Sequence, residues 1–178
     1  MNPGCEPPGE SVEACLTQNT DPLPTHPDDG RSPARVHATT VAIGEAGVLI
    51  RGPSGAGKSV LALALIDQAR WAGLFARLVA DDRTSLTVHG GRLLARPVAP
   101  LEGLIERRGL GLTPEPHLAG VVVRLVVDLS ATEPARMPQP EDLVERLAGI
   151  DLPRLTVMGR AGDERTVLAG LRLFMDDG

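Results

Sequence analysis

Apolar residues in this chain come in short runs punctuated by glycine and by single polar positions, and each run predicts one element. From Val36 to Ile43 the apolar positions alternate loosely. Gly44-Glu45-Ala46-Gly47 follows, and then the nearly continuous apolar run Gly47-Val48-Leu49-Ile50-Arg51. The two stretches predict a hairpin whose second strand is buried. Val60 to Ile66 is rich in good helix formers, which predicts a helix from Lys58 to about Trp71-Ala72, closed by Gly73. Ala76 to Ala80 predicts a second buried strand, ending on Asp81-Asp82. Thr84 to His89 alternates, turns at Gly90-Gly91 and resumes from Arg92 to Arg96, which predicts a second hairpin. Pro100 suits a first helical position, so a short helix over Leu101 to Arg108 is expected, ending at Gly109. Val121 to Leu129 is the strongest strand signal. Glu141 to Ala148 and Arg165 to Phe174 predict helices, with a short strand near Leu155-Thr156-Val157 between them. There is no internal repeat. Strands alternating with helices, plus two hairpins, predict an α/β domain with a mixed sheet.

The first 33 residues break the pattern. They hold 7 of the 16 prolines, no long apolar run, and six acids (Glu6, Glu10, Glu13, Asp21, Asp28, Asp29) against Arg31. Such a segment cannot bury enough surface to offset its ordering entropy, so residues 1–33 are expected to be a disordered tail and residues 34–178 the domain. The body is balanced, with 17 acids and 17 Arg plus Lys, which argues against a nucleic-acid-binding stripe. The chain shows no basic start with an apolar segment behind it, and no run of the roughly 18 apolar residues that a membrane span needs. Cys5 and Cys15 both fall in the tail, and two free thiols in a cytoplasmic protein is the plain reading. Trp71, Phe75 and Phe174 are the only aromatics, so the core is expected to consist of Leu, Val, Ile and Ala.

Between the first buried strand and the first helix stands Gly52-Pro53-Ser54-Gly55-Ala56-Gly57-Lys58-Ser59, which satisfies the phosphate-binding pattern G-x-x-x-x-G-K-[ST]. Strand, glycine-rich turn and helix is the context that the pattern requires. Glycines let successive backbone N–H groups curl around phosphate oxygens, and the helix N-terminus adds partial positive charge. Lys58 is the only lysine, and the other 17 basic side chains are Arg. It can reach the terminal phosphates of a nucleotide while the Ser59 hydroxyl ligates Mg²⁺.

Other residues are candidates of different weight. A carboxylate at Asp81 or Asp82 could hold Mg²⁺ through water or accept a proton from an attacking hydroxyl. Adjacent strand residues face opposite ways, so at most one of the two is expected to face the nucleotide. Glu106 lies in Leu104-Ile105-Glu106-Arg107-Arg108-Gly109-Leu110-Gly111, where the glycines allow a tight turn, although charged helix ends are usually solvated. His37 opens the first strand, and a lone His is more often structural than catalytic. His89 and His26 have no distinguishing context. Arg136 lies in a Pro-flanked loop after the strongest strand, a common place for anion-binding arginines.

Taken together, these segments resemble the C-terminal catalytic domain of HPr kinase/phosphorylase, the bacterial enzyme that acts on a serine of the phosphocarrier HPr. The resemblance covers about residues 36 to 158. It is carried by His37 to Ile50 with the P-loop, by Leu78-Val79-Ala80-Asp81-Asp82, by Glu106-Arg107-Arg108-Gly109-Leu110-Gly111, and by Leu125-Val126-Val127-Asp128-Leu129 with Ala135-Arg136-Met137. It implies the HPr kinase/phosphoenolpyruvate carboxykinase-like fold, ATP and Mg²⁺ as cofactors, and an HPr-type phosphocarrier as substrate. It also implies a place in phosphotransferase signalling and carbohydrate regulation, and a hexameric ring. By position, Asp82 would be the general base, Ser59 and Glu106 the Mg²⁺ ligands, and Lys58 the cation on the phosphates. His37 and Arg136 would sit at the transfer centre. A short Pro-rich segment stands where long members carry a separate domain, as in the short form of alphaproteobacterial members. Val60 replaces the usual Glu after the P-loop serine, and the loop after Gly111 is short. The family's P-V-R-P-G-R segment, tied to dephosphorylation, has only a faint echo in Val157-Met158-Gly159-Arg160. The expected function is therefore an ATP-dependent serine kinase, with the reverse phosphorylase reaction left open. A small-metabolite P-loop kinase and a non-catalytic ATP-sensing module are the alternatives.

Overall fold

Val121–Leu129 is the longest strand of the fold, and both of its edges are occupied. The computed structural model describes residues 33–176. In chain order these form β1 (Ala34–Val36), β2 (Ala38–Ile43), β3 (Ala46–Arg51), α1 (Lys58–Trp71), β4 (Ala76–Ala80), β5 (Thr84–His89), β6 (Arg92–Pro97), β7 (Leu104–Arg107), β8 (Gly111–Pro114), β9 (Val121–Leu129), β10 (Val144–Leu147), β11 (Ile150–Val157) and α2 (Asp163–Asp176). The tail expected over 1–33, with Cys5, Cys15 and His26, lies outside the described residues except for Pro33. Among the described residues no helix is long and apolar enough to cross a membrane.

β9 runs parallel to β3, from Gly47 opposite Val123 to Arg51 opposite Asp128. Its other edge is shared. β6 pairs antiparallel with its first residues (Ala95 with Val121, Leu94 with Val122), and β11 pairs parallel with its last (Arg154 with Val126 to Val157 with Leu129). The path β1-β5-β6-β9-β3-β2-β4, with β10 and β11 branching from β9, makes a nine-stranded mixed sheet, as the alternation of elements predicts. β7 and β8 form a separate two-stranded hairpin. The register of β3 on β9 shifts between Gly47 and Val48, where two residues of β9 pass one of β3. Arg124 is the extra residue and points to solvent. Before it, Val121 and Val123 pack with β5 and β6; after it, Leu125, Val127 and Leu129 pack under the helices. A bulge re-aims the side chains that follow it, so one strand serves two cores.

α1 buries Leu61, Ala62, Leu65, Ile66 and Ala69, one stripe at helical spacing. It ends where the sequence predicts: the Gly73 N–H donates to Arg70 O (2.9 Å) and the Leu74 N–H to Ala69 O (2.9 Å), which satisfies carbonyls left free at a helix end. Among the described residues every buried hydrophobic one is Ala, Val, Ile or Leu, and Trp71 is 89% exposed.

Two predicted helices are not helices. Leu101 to Arg108 contains the strand β7, because the chain doubles back at once: Gly109 (φ 85°) and Gly111 (φ 79°) build the turn and the Leu110 N–H closes on Arg107 O at 2.9 Å. Glu141 to Ala148 is a 3-10 turn at Pro140–Leu143 followed by β10. The Gln139 N–H donates to Asp142 Oδ2 (3.1 Å) at the head of that turn, and Ala148-Gly149, both at positive φ, return the chain into β11. Four-residue apolar patterns do not separate helix from strand, and here the pairing partner decides. The short strand expected near Leu155 extends back to Ile150.

At the carboxyl end of β9, Asp128 binds the sheet together. Arg51 donates to it through Nε (2.7 Å) and Nη2 (2.8 Å), Arg154 donates through Nε (2.7 Å), and Arg51 Nη1 also reaches Glu145 Oε1 (2.8 Å). One carboxylate thus joins β3, β9 and β11, and Arg51 carries the link on to β10. Burial by itself raises the Asp128 carboxyl, but the hydrogen bonds and charges of Arg51 and Arg154 outweigh it and hold the group below the ordinary carboxylate range. Arg51 is driven the opposite way by its hydrogen bond to Asp128, against burial. A depressed carboxyl contributes stability that is present above the unfolded value of about 4 and is lost as pH falls toward the folded one. Asp128→Asn should lower stability at neutral pH by about 3 kcal/mol, since it leaves two guanidinium groups poorly paired. Its unfolding free energy should also fall less steeply than that of the wild type as pH drops below about 4. Chemical denaturation at several pH values measures both.

Candidate active site

The strand directions collect the chemistry at one end of the sheet. β2 is antiparallel to both β3 and β4, so β3, β4 and β9 all point the same way. The P-loop after β3, the acidic pair after β4 and His37 just before β2 therefore meet at one pole. They border a cleft of about 430 Å³.

The floor is the loop at residues 52–57. A Cβ on Gly52 would stand 2.9 Å from Leu129 Cβ, so only glycine lets the loop leave β3 beside the end of β9. Gly57 caps α1 in the left-handed region (φ 97°), and the first turn of α1 carries no acid, which leaves its positive end open toward the cleft. Lys58 is 6% exposed, and its Nζ donates to the carbonyls of Gly52 and Pro53, each at 3.1 Å. The lysine thereby spans its own loop from beneath. A second loop abuts the first. Gly159 lies so close that a Cβ there would stand 2.8 Å from Ala56 O, and Asp163 Oδ2 fixes this loop by accepting from the N–H groups of Met158 (3.1 Å) and Arg160 (2.8 Å). The weakly matching segment Val157-Met158-Gly159-Arg160 is thus packed on the P-loop.

The acidic pair divides its labour by burial. Asp81 is 7% exposed; its Oδ1 accepts from Ser59 Oγ (2.8 Å) and Thr39 Oγ1 (2.7 Å), and its Oδ2 from the Glu106 N–H (3.0 Å). Asp82 is exposed, and its Oδ1 lies 2.8 Å from His37 Nε2. The expectation that at most one of the two faces the site is corrected: both border the cleft. β4 stops at Ala80, and Asp82 adopts a left-handed conformation (φ 62°), so strand alternation no longer applies.

Glu106 also borders the cleft, on the β7–β8 hairpin rather than on a helix end. Alternation along β7 explains why: Ile105 enters the core, Arg107 turns to the buried Glu115, and Leu104 with Glu106 faces the cleft. Glu115 lies 2.8 Å from Arg107 Nη2 and 3.0 Å from Arg70 Nη1, tying the hairpin to the last turn of α1. Sequence reading missed Glu115, because an acid between two prolines has the signature of a solvated loop. Arg136 lies on the exposed loop after β9 and is not among the residues that border the cleft. His89, at the end of β5, is not among the bordering residues either.

The donors suit a nucleotide with a hard cation. Glycine amides, a helix N-terminus and an ammonium fit phosphate oxygens, and Ser59, Asp81, Asp82 and Glu106 offer oxygen ligands. Among the described residues no group of three or more His, Cys, Asp or Glu could hold a metal. Mg²⁺, which keeps water and takes phosphate oxygens alongside one or two carboxylates, fits such a sparse set.

The model of the HPr Serine kinase C-terminal domain matches residues 31–168. The chain belongs to the HPr Serine kinase C-terminal domain family. Among curated proteins it is similar to the HPr kinase/phosphorylase of Enterococcus faecalis, 35% identical over 152 residues, covering 75% of this chain and 45% of that protein. It is also similar to the HPr kinase/phosphorylase of Xylella fastidiosa, 34% identical over 152 residues, covering 76% and 45%. The chain therefore spans about half the length of the curated relatives it matches. Among solved structures it is similar to the Hpr(Ser) kinase/phosphatase from Coxiella burnetii, with a TM-score of 0.64 and 27% identity over 80% of this chain and 99% of that chain. The α/β fold with its large mixed sheet is thus that of the HPr kinase family.

The contact of Gly52 with Leu129 makes a direct test of this loop geometry. Gly52→Ala should cost about 1–3 kcal/mol, because the added methyl cannot be housed without moving the loop or β9. A thermal midpoint equal to that of the wild type would show that the approach is not tight.

Proposed function

We propose that this chain is an ATP- and Mg²⁺-dependent protein serine kinase whose acceptor is an HPr-type phosphocarrier. Family membership and the names of the relatives support the reaction class. The observation that carries the reading is one cleft with the Lys58–Ser59 end of the P-loop on one side and the exposed Asp82–His37 pair on the other.

In this reading the backbone N–H groups of residues 54 to 58 and the Lys58 ammonium hold the phosphates of ATP. Ser59 and Glu106 would ligate Mg²⁺, which when bound offsets phosphate charge. Asp82 receives the proton of the acceptor serine as its oxygen forms a bond to the γ-phosphorus. The bond from that phosphorus to the bridging oxygen of ADP breaks in the same displacement. His37 orients the Asp82 carboxylate through their 2.8 Å contact. Arg136 is proposed to contribute a cation at the transfer centre when the acceptor is seated. Positioning and charge supply most of the catalysis in such transfers, which is why a binding loop and a few side chains suffice.

Incubation with γ-labelled ATP, Mg²⁺ and purified HPr should place acid-stable label on serine. Label on a sugar or a small acid instead would favour a metabolite kinase, and tight ATP binding without transfer to any acceptor would favour a sensing module. Asp82→Asn should keep nucleotide affinity and lose about 10²- to 10⁴-fold in transfer rate; an undiminished rate would remove Asp82 from the role of base. Lys58→Ala should weaken nucleotide affinity about tenfold or more, by loss of a charged hydrogen-bonding partner, as titration calorimetry would measure.

A further inference from the structure

β2 is buried along its whole length, yet two of its six residues are threonines with no exposure at all. A buried hydroxyl costs free energy unless it is bonded, and valine would fill nearly the same space without that cost. Each hydroxyl should therefore have a task. Thr84 Oγ1 donates to Ala38 O (2.9 Å), so in its 2.9 Å contact with Thr40 it accepts, and Thr40 is the donor. That pair closes on itself and on the backbone of β2. Thr39 points to the other face and donates to Asp81 Oδ1 at 2.7 Å.

Asp81 hydrogen-bonds to both proposed Mg²⁺ ligands. Its Oδ1 holds the Ser59 hydroxyl, and its Oδ2 holds the backbone N–H of Glu106. The terminal torsion of an aspartate is broad, so the rotation of the carboxylate is set by the donors around it. Ser59 and Glu106 donate from a helix and a hairpin, and Thr39 adds a third donor from a fully buried strand. We propose that Thr39 is a positioning residue: its hydroxyl fixes the rotation of the Asp81 carboxylate and so sets the spacing of Ser59 and Glu106 across the cleft. The inference rests on the reading of this cleft as a Mg²⁺-nucleotide site. Thr39 is not among the residues that border the cleft, and its side-chain hydrogen bond links it to the cleft through Asp81.

The test uses the full chain with Thr39→Val, Thr39→Ser and the wild type. ADP affinity is measured by calorimetry over a range of Mg²⁺ concentrations and without Mg²⁺, alongside thermal midpoints. Thr39→Val should require about tenfold more Mg²⁺ for half-maximal enhancement of ADP affinity, as expected for loss of a hydrogen bond to a charged group. Affinity without Mg²⁺ should stay within about twofold, and Thr39→Ser, which keeps the hydroxyl, should restore the Mg²⁺ dependence. If the valine is not accommodated, Thr39→Ala carries the same expectation. A wild-type Mg²⁺ dependence in Thr39→Val would overturn the inference, as would equal shifts in the valine and serine variants accompanied by lower thermal midpoints. A wild type whose ADP affinity ignores Mg²⁺ would sink the underlying reading of the cleft. Failure to phosphorylate HPr would sink only the choice of acceptor.

Discussion

The parallel seat of β3 on β9 is the constraint from which the site follows. It brings the start of the P-loop to Leu129, and the close approach of Gly52 admits no side chain there. The seat is clamped where it matters: Arg51, the last residue before the loop, is held by both oxygens of Asp128. Such a half-buried pair is costly to desolvate and adds little net stability over an apolar equivalent, but it is severely missed when one partner is lost. Its value here is positional. Arg154 uses the same carboxylate to place the end of β11, and the loop that follows β11 packs on Ala56. One acid thereby places both the P-loop and the loop that packs against it.

On the far side of the P-loop the adjacent acids show how burial separates tasks. Asp81 is enclosed and has three donors, so both of its oxygens are already engaged in holding other groups. Asp82 lies 2.8 Å from His37 and 3.9 Å from Arg83 Nε, and its carboxylate is exposed to an incoming hydroxyl. The backbone makes this division by abandoning strand geometry at Asp82 (φ 62°), which spends local strain to aim two consecutive carboxylates at one cleft.

What the sequence discloses and what it hides differ by range. The P-loop, β2 with β3, β4, β5 with β6, β9 and α1 are local patterns of adequate length, and their limits are legible within a residue or two. The segments around Glu106 and Glu145 are strands where helices are expected, because a four-residue pattern takes its type from its partner, here the adjacent strand of a tight hairpin. The same holds in the site. Glycines and Lys58 declare themselves by spacing, and Asp81-Asp82 by following a strand. The contacts of Thr39 with Asp81 and of Arg70 with Glu115 span more than 40 residues and leave no local trace.

The unequal use of Arg and Lys now has a structural sense. At Asp128 the work is to hold a planar carboxylate from fixed directions, and the guanidinium fork of Arg51 meets both oxygens at once. At Glu115 two arginines converge on one buried acid from a helix and a hairpin. Under the P-loop the requirement is different. The cation rests against two backbone carbonyls, which offer a planar fork no carboxylate to match. Lys58 is the one lysine of this chain, and it stands where a compact cation rests against two backbone carbonyls.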